Sequence, residues 1–213
     1  MRTILAIDQS TSATKALLFA ETGELLDKTA VSHEQIYPRP GWVEHDAEKI
    51  YRNTLEAVAN LLERNEANLS SLSGVSITNQ RETFVIFDKA SGEPLYNAIV
   101  WQCRRGEEIC RQLVEAGHEP LVQERTGLKI DTYFPASKID WLLKDQPAIA
   151  KKLAEGKAYL GTIDTYLIYR LTRGRVFATD QTNASRTLLF DINKLAWDDE
   201  LSELFGVPRT ALS

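Results

Sequence analysis

The stretch from residue 3 to residue 31 constrains the fold more than any other. Thr3-Ile4-Leu5-Ala6-Ile7-Asp8 is an apolar run ending on a carboxylate, Ala16-Leu17-Leu18-Phe19 is a second, and residues 25–31 form a third. Short apolar runs bounded by turn residues read as strands. The turn at 21–24 carries Gly23 at the position where a positive φ is expected. Links this short make antiparallel neighbours, because a parallel pair needs a crossover of about a dozen residues or more. The chain therefore opens as three antiparallel strands.

Tyr37-Pro38-Arg39-Pro40-Gly41-Trp42 excludes regular structure and reads as an extended loop. Asp46 is a good helix N-cap, with Lys49 where a capping box would carry Glu or Gln. Ile50, Tyr51, Leu55, Val58, Leu61 and Leu62 then recur at helical spacing. Strands are expected at 74–77, 84–87 and 97–101, with a turn at 88–93. Helices are expected at 104–117, 119–126, 137–144, 147–154 and 162–171, interrupted by a strand at 158–160, with a last helix at 201–205. A three-stranded opening joined by a crossover helix to further strands predicts an α/β domain. Its mixed sheet would be flanked by helices, with helical insertions after residue 103. No repeat or Gly/Ser linker divides the 213 residues, so residues 1–213 read as one large domain.

Composition removes several classes. With 25 basic and 30 acidic residues the net charge is −5. A binder of nucleic acid or of an anionic membrane would want a basic excess. No apolar run approaches the ~20 residues of a membrane helix. The N-terminus lacks a signal-peptide core and cleavage site, so a cytoplasmic location is expected. Two cysteines agree with a reducing compartment. Cys103 and Cys110 would share a helix face at a rise of ~10 Å, too far apart for a disulfide, and read as thiols near a core. His33, His45 and His118 are scattered, and no zinc site is expected.

Five segments carry candidate chemistry. Asp8-Gln9-Ser10-Thr11-Ser12-Ala13-Thr14-Lys15 is a long polar link between buried strands, where two to five residues normally suffice. Backbone N–H groups and hydroxyls in such a turn can cradle phosphate oxygens. Lys15 can place a cation near a phosphoryl group, and Asp8 can hold Mg²⁺ directly or through water. It is not a Walker A loop, and a plain polar turn is the alternative. Thr78-Asn79-Gln80-Arg81-Glu82-Thr83 places forked hydrogen-bonding groups between two apolar strands without turn residues. Arg81 offers paired donors and Glu82 a carboxylate suited to vicinal hydroxyls, although a solvated turn would look similar. Trp101 lies at a strand–helix junction, as core or as a platform for a polyol's C–H face. Arg104 and Arg105 oppose the following helix dipole and call for an acid nearby, such as Glu107 or Glu108. Tyr133 precedes Pro135 in a kink from which it could point inward. Gly161-Thr162-Ile163-Asp164-Thr165-Tyr166 and residues 179–186 read first as structural, with the option of lining a cleft.

Taken in order, these segments resemble the FGGY carbohydrate kinases, specifically their N-terminal domain, over essentially the whole chain. They are most similar to the members that act on glycerol. The specific pieces are Tyr37-Pro38-Arg39-Pro40-Gly41-Trp42-Val43-Glu44-His45-Asp46, Ile77-Thr78-Asn79-Gln80-Arg81-Glu82-Thr83, Tyr96-Asn97-Ala98-Ile99-Val100-Trp101-Gln102-Cys103-Arg104-Arg105 and Thr182-Asn183-Ala184-Ser185-Arg186-Thr187. The resemblance implies a ribonuclease-H-like half of an actin-like ATPase. Two such domains would hold ATP and a small-molecule polyol in the cleft between them. It implies that Arg81, Glu82, Trp101 and Tyr133 bind the polyol, that Asp8 sits by Mg²⁺, and that Thr11, Ser12 and Lys15 face the phosphates. It implies no nucleic-acid or membrane partner and leaves room for a homo-oligomer.

Three departures fall on the nucleotide side: Ser10 where the family usually has Gly, Ala13 where it has Ser, and Lys15 where it has Arg. Lysine keeps the charge and loses the planar fork. The resemblance also implies that the general base and most of the adenine pocket belong to a C-terminal domain beyond residue 213, so no catalytic residue is expected here. Two rival readings keep the resemblance: a kinase for another sugar such as xylulose or gluconate, or, for these 213 residues alone, a non-catalytic polyol-binding module.

Overall fold

A computed structural model describes residues 2–213, without the side chains of 67–69. The opening meander is β1 (Thr3–Gln9), β2 (Ala13–Ala20) and β3 (Leu25–Ser32), each antiparallel to the next. The Asp46 carboxylate accepts from the Lys49 N–H and starts α1 (Ala47–Arg64). This helix is the crossover to β5 (Leu72–Asn79), which pairs parallel with β1, Leu5 opposite Val75. The order β3-β2-β1-β5 is the expected mixed sheet. Alternation decides its faces: Leu5, Ile7, Ala16 and Leu18 are buried, and Ile50, Ala57 and Leu61 of α1 are fully buried.

The chain divides into two compact units, Met1–Gln35 with His45–Gln80 and Ile36–Glu44 with Arg81–Ser213. In the second unit, β6 (Phe84–Asp88) lies between β7 (Ala98–Ile99) and β8 (Ala158–Thr162), antiparallel to both, and β4 (Glu44–His45) extends the sheet beside β7. Strand β6 is apolar at four consecutive positions because both its faces are covered. The strands predicted after residue 80 thus build a second sheet of their own.

The helices around it are α2 (Glu107–Glu115), α3 (Glu119–Thr126), α4 (Pro135–Asp145), α5 (Pro147–Ala154) and α6 (Ile163–Leu171). Then come the short α7 (Gln181–Ala184), a ribbon of β9 (Phe190–Asp191) and β10 (Ala196–Trp197), and α8 (Asp199–Leu204). Helix α2 starts three residues later than expected. Arg104 and Arg105 lie in the preceding turn, so Cys103 and Cys110 do not share a helix, although both are buried and free. Among the described residues no helix is long and apolar enough to cross a membrane.

Candidate functional site

The expected long link at Asp8–Lys15 is mostly strand. Strand β1 runs to Gln9 and β2 begins at Ala13, so the loop is only Ser10, Thr11 and Ser12. Polar residues mimic a loop here because Gln9 and Thr14 are buried strand residues directly opposite each other. The loop is held at several points. Ser10 donates to the Ala13 carbonyl through both N–H and Oγ, each at 2.9 Å, and the His33 N–H donates to the Ser12 carbonyl at 3.0 Å. The Gln9 amide donates to the Ser10 carbonyl at 2.8 Å, and Gln80 Nε2 donates to Gln9 Oε1 at 3.1 Å. Thr11 is half-buried and Ser12 exposed.

Asp8 and Lys15 are cross-strand partners, with Lys15 Nζ donating to Asp8 Oδ2 at 2.9 Å. Their side chains are 35% and 43% exposed. A pair this exposed contributes at most ~1 kcal/mol, so Lys15 can turn to another anion at little cost. Among the described residues Asp8 Oδ1 has no partner, and no group of three or more His, Cys, Asp or Glu clusters for a metal. One carboxylate fits Mg²⁺, which keeps several waters and takes its other ligands from substrate phosphates.

The polyol candidates gather in the second unit. Strand β5 ends at Asn79 and β6 begins at Phe84, and the turn between them takes a left-handed residue at Glu82, φ +63°. A non-glycine residue there is uncommon, and this one is also 5% exposed. Arg186 Nε donates to Glu82 Oε1 at 2.7 Å, and Oε2 has no partner among the described residues. Arg81 beside it is exposed. The Trp101 N–H donates to Thr83 Oγ1 at 3.3 Å, tying the Trp to the same turn. The Trp101 and Tyr133 rings lie 5.3 Å apart, tilted by 54°. Tyr133 does not turn into the core: it is 39% exposed, between Trp101 and Phe134. The Arg186 guanidinium lies 4.9 Å from the Phe134 ring centre and 5.9 Å from that of Tyr133. One half-buried arginine therefore joins the carboxylate to the aromatic wall.

The sequence profile for the N-terminal domain of the FGGY family of carbohydrate kinases matches residues 3–213. The chain belongs to this family. It is 48% identical over 209 residues to glycerol kinase 1 of Thermotoga maritima, covering 98% of this chain and 42% of that protein. The glycerol kinase of Symbiobacterium thermophilum matches at the same identity and coverage. The crystal structure of Plasmodium falciparum glycerol kinase with ADP superposes with a TM-score of 0.92 at 41% identity, over 97% of this chain and 41% of that one. The ligand-bound xylulose kinase of Lactobacillus acidophilus, at 22% identity and a TM-score of 0.87, shares the fold. The chain thus spans about two fifths of the length of these relatives. The ribonuclease-H-like, actin-like ATPase architecture is that of the family.

Three groups in this FGGY domain escaped sequence reasoning. Arg104 meets Glu107 at 2.5 Å as expected, but Arg105 pairs with neither Glu107 nor Glu108. Its NH2 donates to Glu44 Oε1 at 2.6 Å, in the buried interior of the second unit. Lys138 on α4 is fully buried, and its Nζ donates to the carbonyls of Thr132, Tyr133 and Trp101 at 2.5, 3.1 and 3.4 Å. Burial pushes this amine down to about 7. Its signal was present, because Lys138 and Leu142 fall on one buried stripe at i, i+4. Arg186 stood inside a family motif with no role assigned. Asp164 accepts from the Thr162 and Thr179 hydroxyls at 2.5 and 2.7 Å, and burial raises its pKa.

Proposed function

We propose that residues 1–213 are the N-terminal, polyol- and phosphate-binding domain of an ATP-dependent kinase that phosphorylates glycerol or a related small polyol. The observation that carries this reading is Glu82. It is buried in a left-handed turn with one carboxylate oxygen held by Arg186 and the other unpartnered among the described residues, in a group that includes the Trp101–Tyr133 pair. A carboxylate oxygen so placed accepts from a substrate hydroxyl, and charge makes such a bond roughly twice as strong as a neutral one. Arg81 supplies forked donors, and the two rings cover the carbon chain. The 48% identity to glycerol kinases supports glycerol as acceptor.

Loop Ser10–Ser12 and Lys15 face the phosphates of ATP, with Thr11 and Ser12 as hydroxyl donors. Asp8 holds Mg²⁺, which supplies neutralisation of phosphate charge during transfer. The base that takes the proton from the attacking hydroxyl belongs to the C-terminal domain of the same polypeptide, so these 213 residues alone bind without turnover. A cytoplasmic location fits a kinase drawing on ATP.

The test is the full-length protein with MgATP against glycerol, xylulose and gluconate. Glycerol is expected to be the preferred acceptor. Glu82→Ala should raise KM and lower kcat for it, with kcat/KM falling about 10- to 100-fold, the worth of one hydrogen bond to a charged group. Unchanged kinetics would overturn the assignment, and preferred turnover of a sugar would change the acceptor.

A further inference from the structure

We infer that Lys138 is a positioning residue of the acceptor site, setting the spacing of the Trp101 and Tyr133 rings through their main-chain carbonyls. The inference rests on the polyol-site reading above and goes beyond it, because Lys138 is not among the residues expected to contact the polyol or the nucleotide.

A fully buried lysine is among the rarest placements of any side chain. Desolvating the amine is costly, and a methionine of similar length would fill the same volume without that cost. Lys138 makes no ion pair among the described residues. Its three donors meet three carbonyl oxygens, those of Thr132, Tyr133 and Trp101. Two of these belong to the residues whose rings form the aromatic wall, 5.3 Å apart. They come from segments more than thirty positions apart in the chain, and a single Nζ on α4 ties both. Tyr133 needs such an anchor because its ring is exposed. Near the ring, the segment is otherwise held by short local bonds, from the Tyr133 N–H to Asp131 Oδ1 at 2.7 Å and from the Phe134 N–H to the Asp131 carbonyl at 3.2 Å.

Burial is the largest influence on Lys138; the carboxylates of Glu82 and Asp131 favour the ammonium against it, and Cys103 and Cys110, which face it too, would do so only as thiolates, a form that burial disfavours at Cys110. With the balance at about 7, the amine loses a proton as pH rises through neutrality. A neutral amine has two donors for three carbonyls, so the tie loosens on the alkaline side. Acceptor KM should therefore rise above pH 7, while KM for MgATP, set by the other unit's residues, does not follow it.

The experiment measures both KM values and kcat of the full-length enzyme between pH 6 and 8.5, for wild type, Lys138→Met and Lys138→Gln. Wild type should show an acceptor KM that climbs severalfold across this range. Lys138→Met should start about tenfold higher and be flat in pH, with kcat moving less than about threefold. Lys138→Gln, which keeps neutral donors, should lie between them. An acceptor KM in Lys138→Met within twofold of wild type, or the same pH profile, overturns the inference. So does a parallel loss in all three constants, which marks a merely structural lysine. If Lys138→Met does not fold, the wild-type profile and Lys138→Gln decide, and a pH-independent acceptor KM refutes the idea. If wild type phosphorylates no polyol or sugar, the functional reading fails and takes this inference with it. An active wild type with unaltered variants removes this inference alone.

Discussion

Replacing Arg105 by methionine should destabilise the protein more than any surface change, and the structure sets the size. The Arg105 side chain is 0% exposed and that of its partner Glu44 4%, with 2.6 Å between NH2 and Oε1. Arg105 Nε donates to Cys103 Sγ at 3.0 Å, and the guanidinium lies 4.2 and 5.0 Å from the ring centres of Trp42 and Trp141. Methionine fills the slot but leaves the Glu44 carboxylate buried with neutral partners, the Asn97 amide at 2.8 Å and the Tyr96 hydroxyl. Removing one member of a buried pair costs ~3–5 kcal/mol, because the uncompensated charge remains. For a chain of this size that lowers Tm by ~6–20 °C. Urea unfolding of wild type and variant, followed by tryptophan fluorescence, measures the loss, since Trp42 and Trp141 flank the site. Glu44→Gln combined with Arg105→Met should cost clearly less than the two single changes added, because no charge is then stranded. A single-variant loss below ~1 kcal/mol, or strict additivity, would refute the argument that a desolvated pair holds the 101–105 turn to β4.

Burial holds the His45 imidazole down at about 4, with the His33 ring 4.9 Å away. The unfolded chain binds that proton near 6.5, so stability is fully present above about 6.5 and is lost, by up to ~3 kcal/mol, as pH falls toward 4. Denaturation midpoints of wild type and His45→Gln across pH 7 to 4 check this, and an equal slope in both would sink it. Lys15→Ala should change stability by less than ~1 kcal/mol, since its pair with Asp8 is exposed, yet raise KM for MgATP about tenfold in the full-length enzyme. A loss of stability without a change in that KM would make Lys15 a structural residue.

What the residues alone determine here is local. Helix α1 follows from its Asp46 cap and apolar spacing, and the opening meander from links too short for a crossover. Arg81, Glu82, Trp101 and Tyr133 stand out as candidates because polar and aromatic residues interrupt apolar runs, and their polyol roles come from the resemblance. The hairpin loop is misjudged from sequence because inward-facing Gln9 and Thr14 are polar, and composition cannot tell a polar strand end from a loop. Tertiary structure alone decides how these pieces are held. Arg105 finds Glu44 61 positions away, Lys138 reaches Trp101 across 37, and Arg186 reaches Glu82 across 104. Periodicity reports the face a residue occupies within its own element, whereas the partner of a buried charge depends on which elements pack together. Burial then makes that partner indispensable, since a charge removed from water must be matched by the groups folding brings to it.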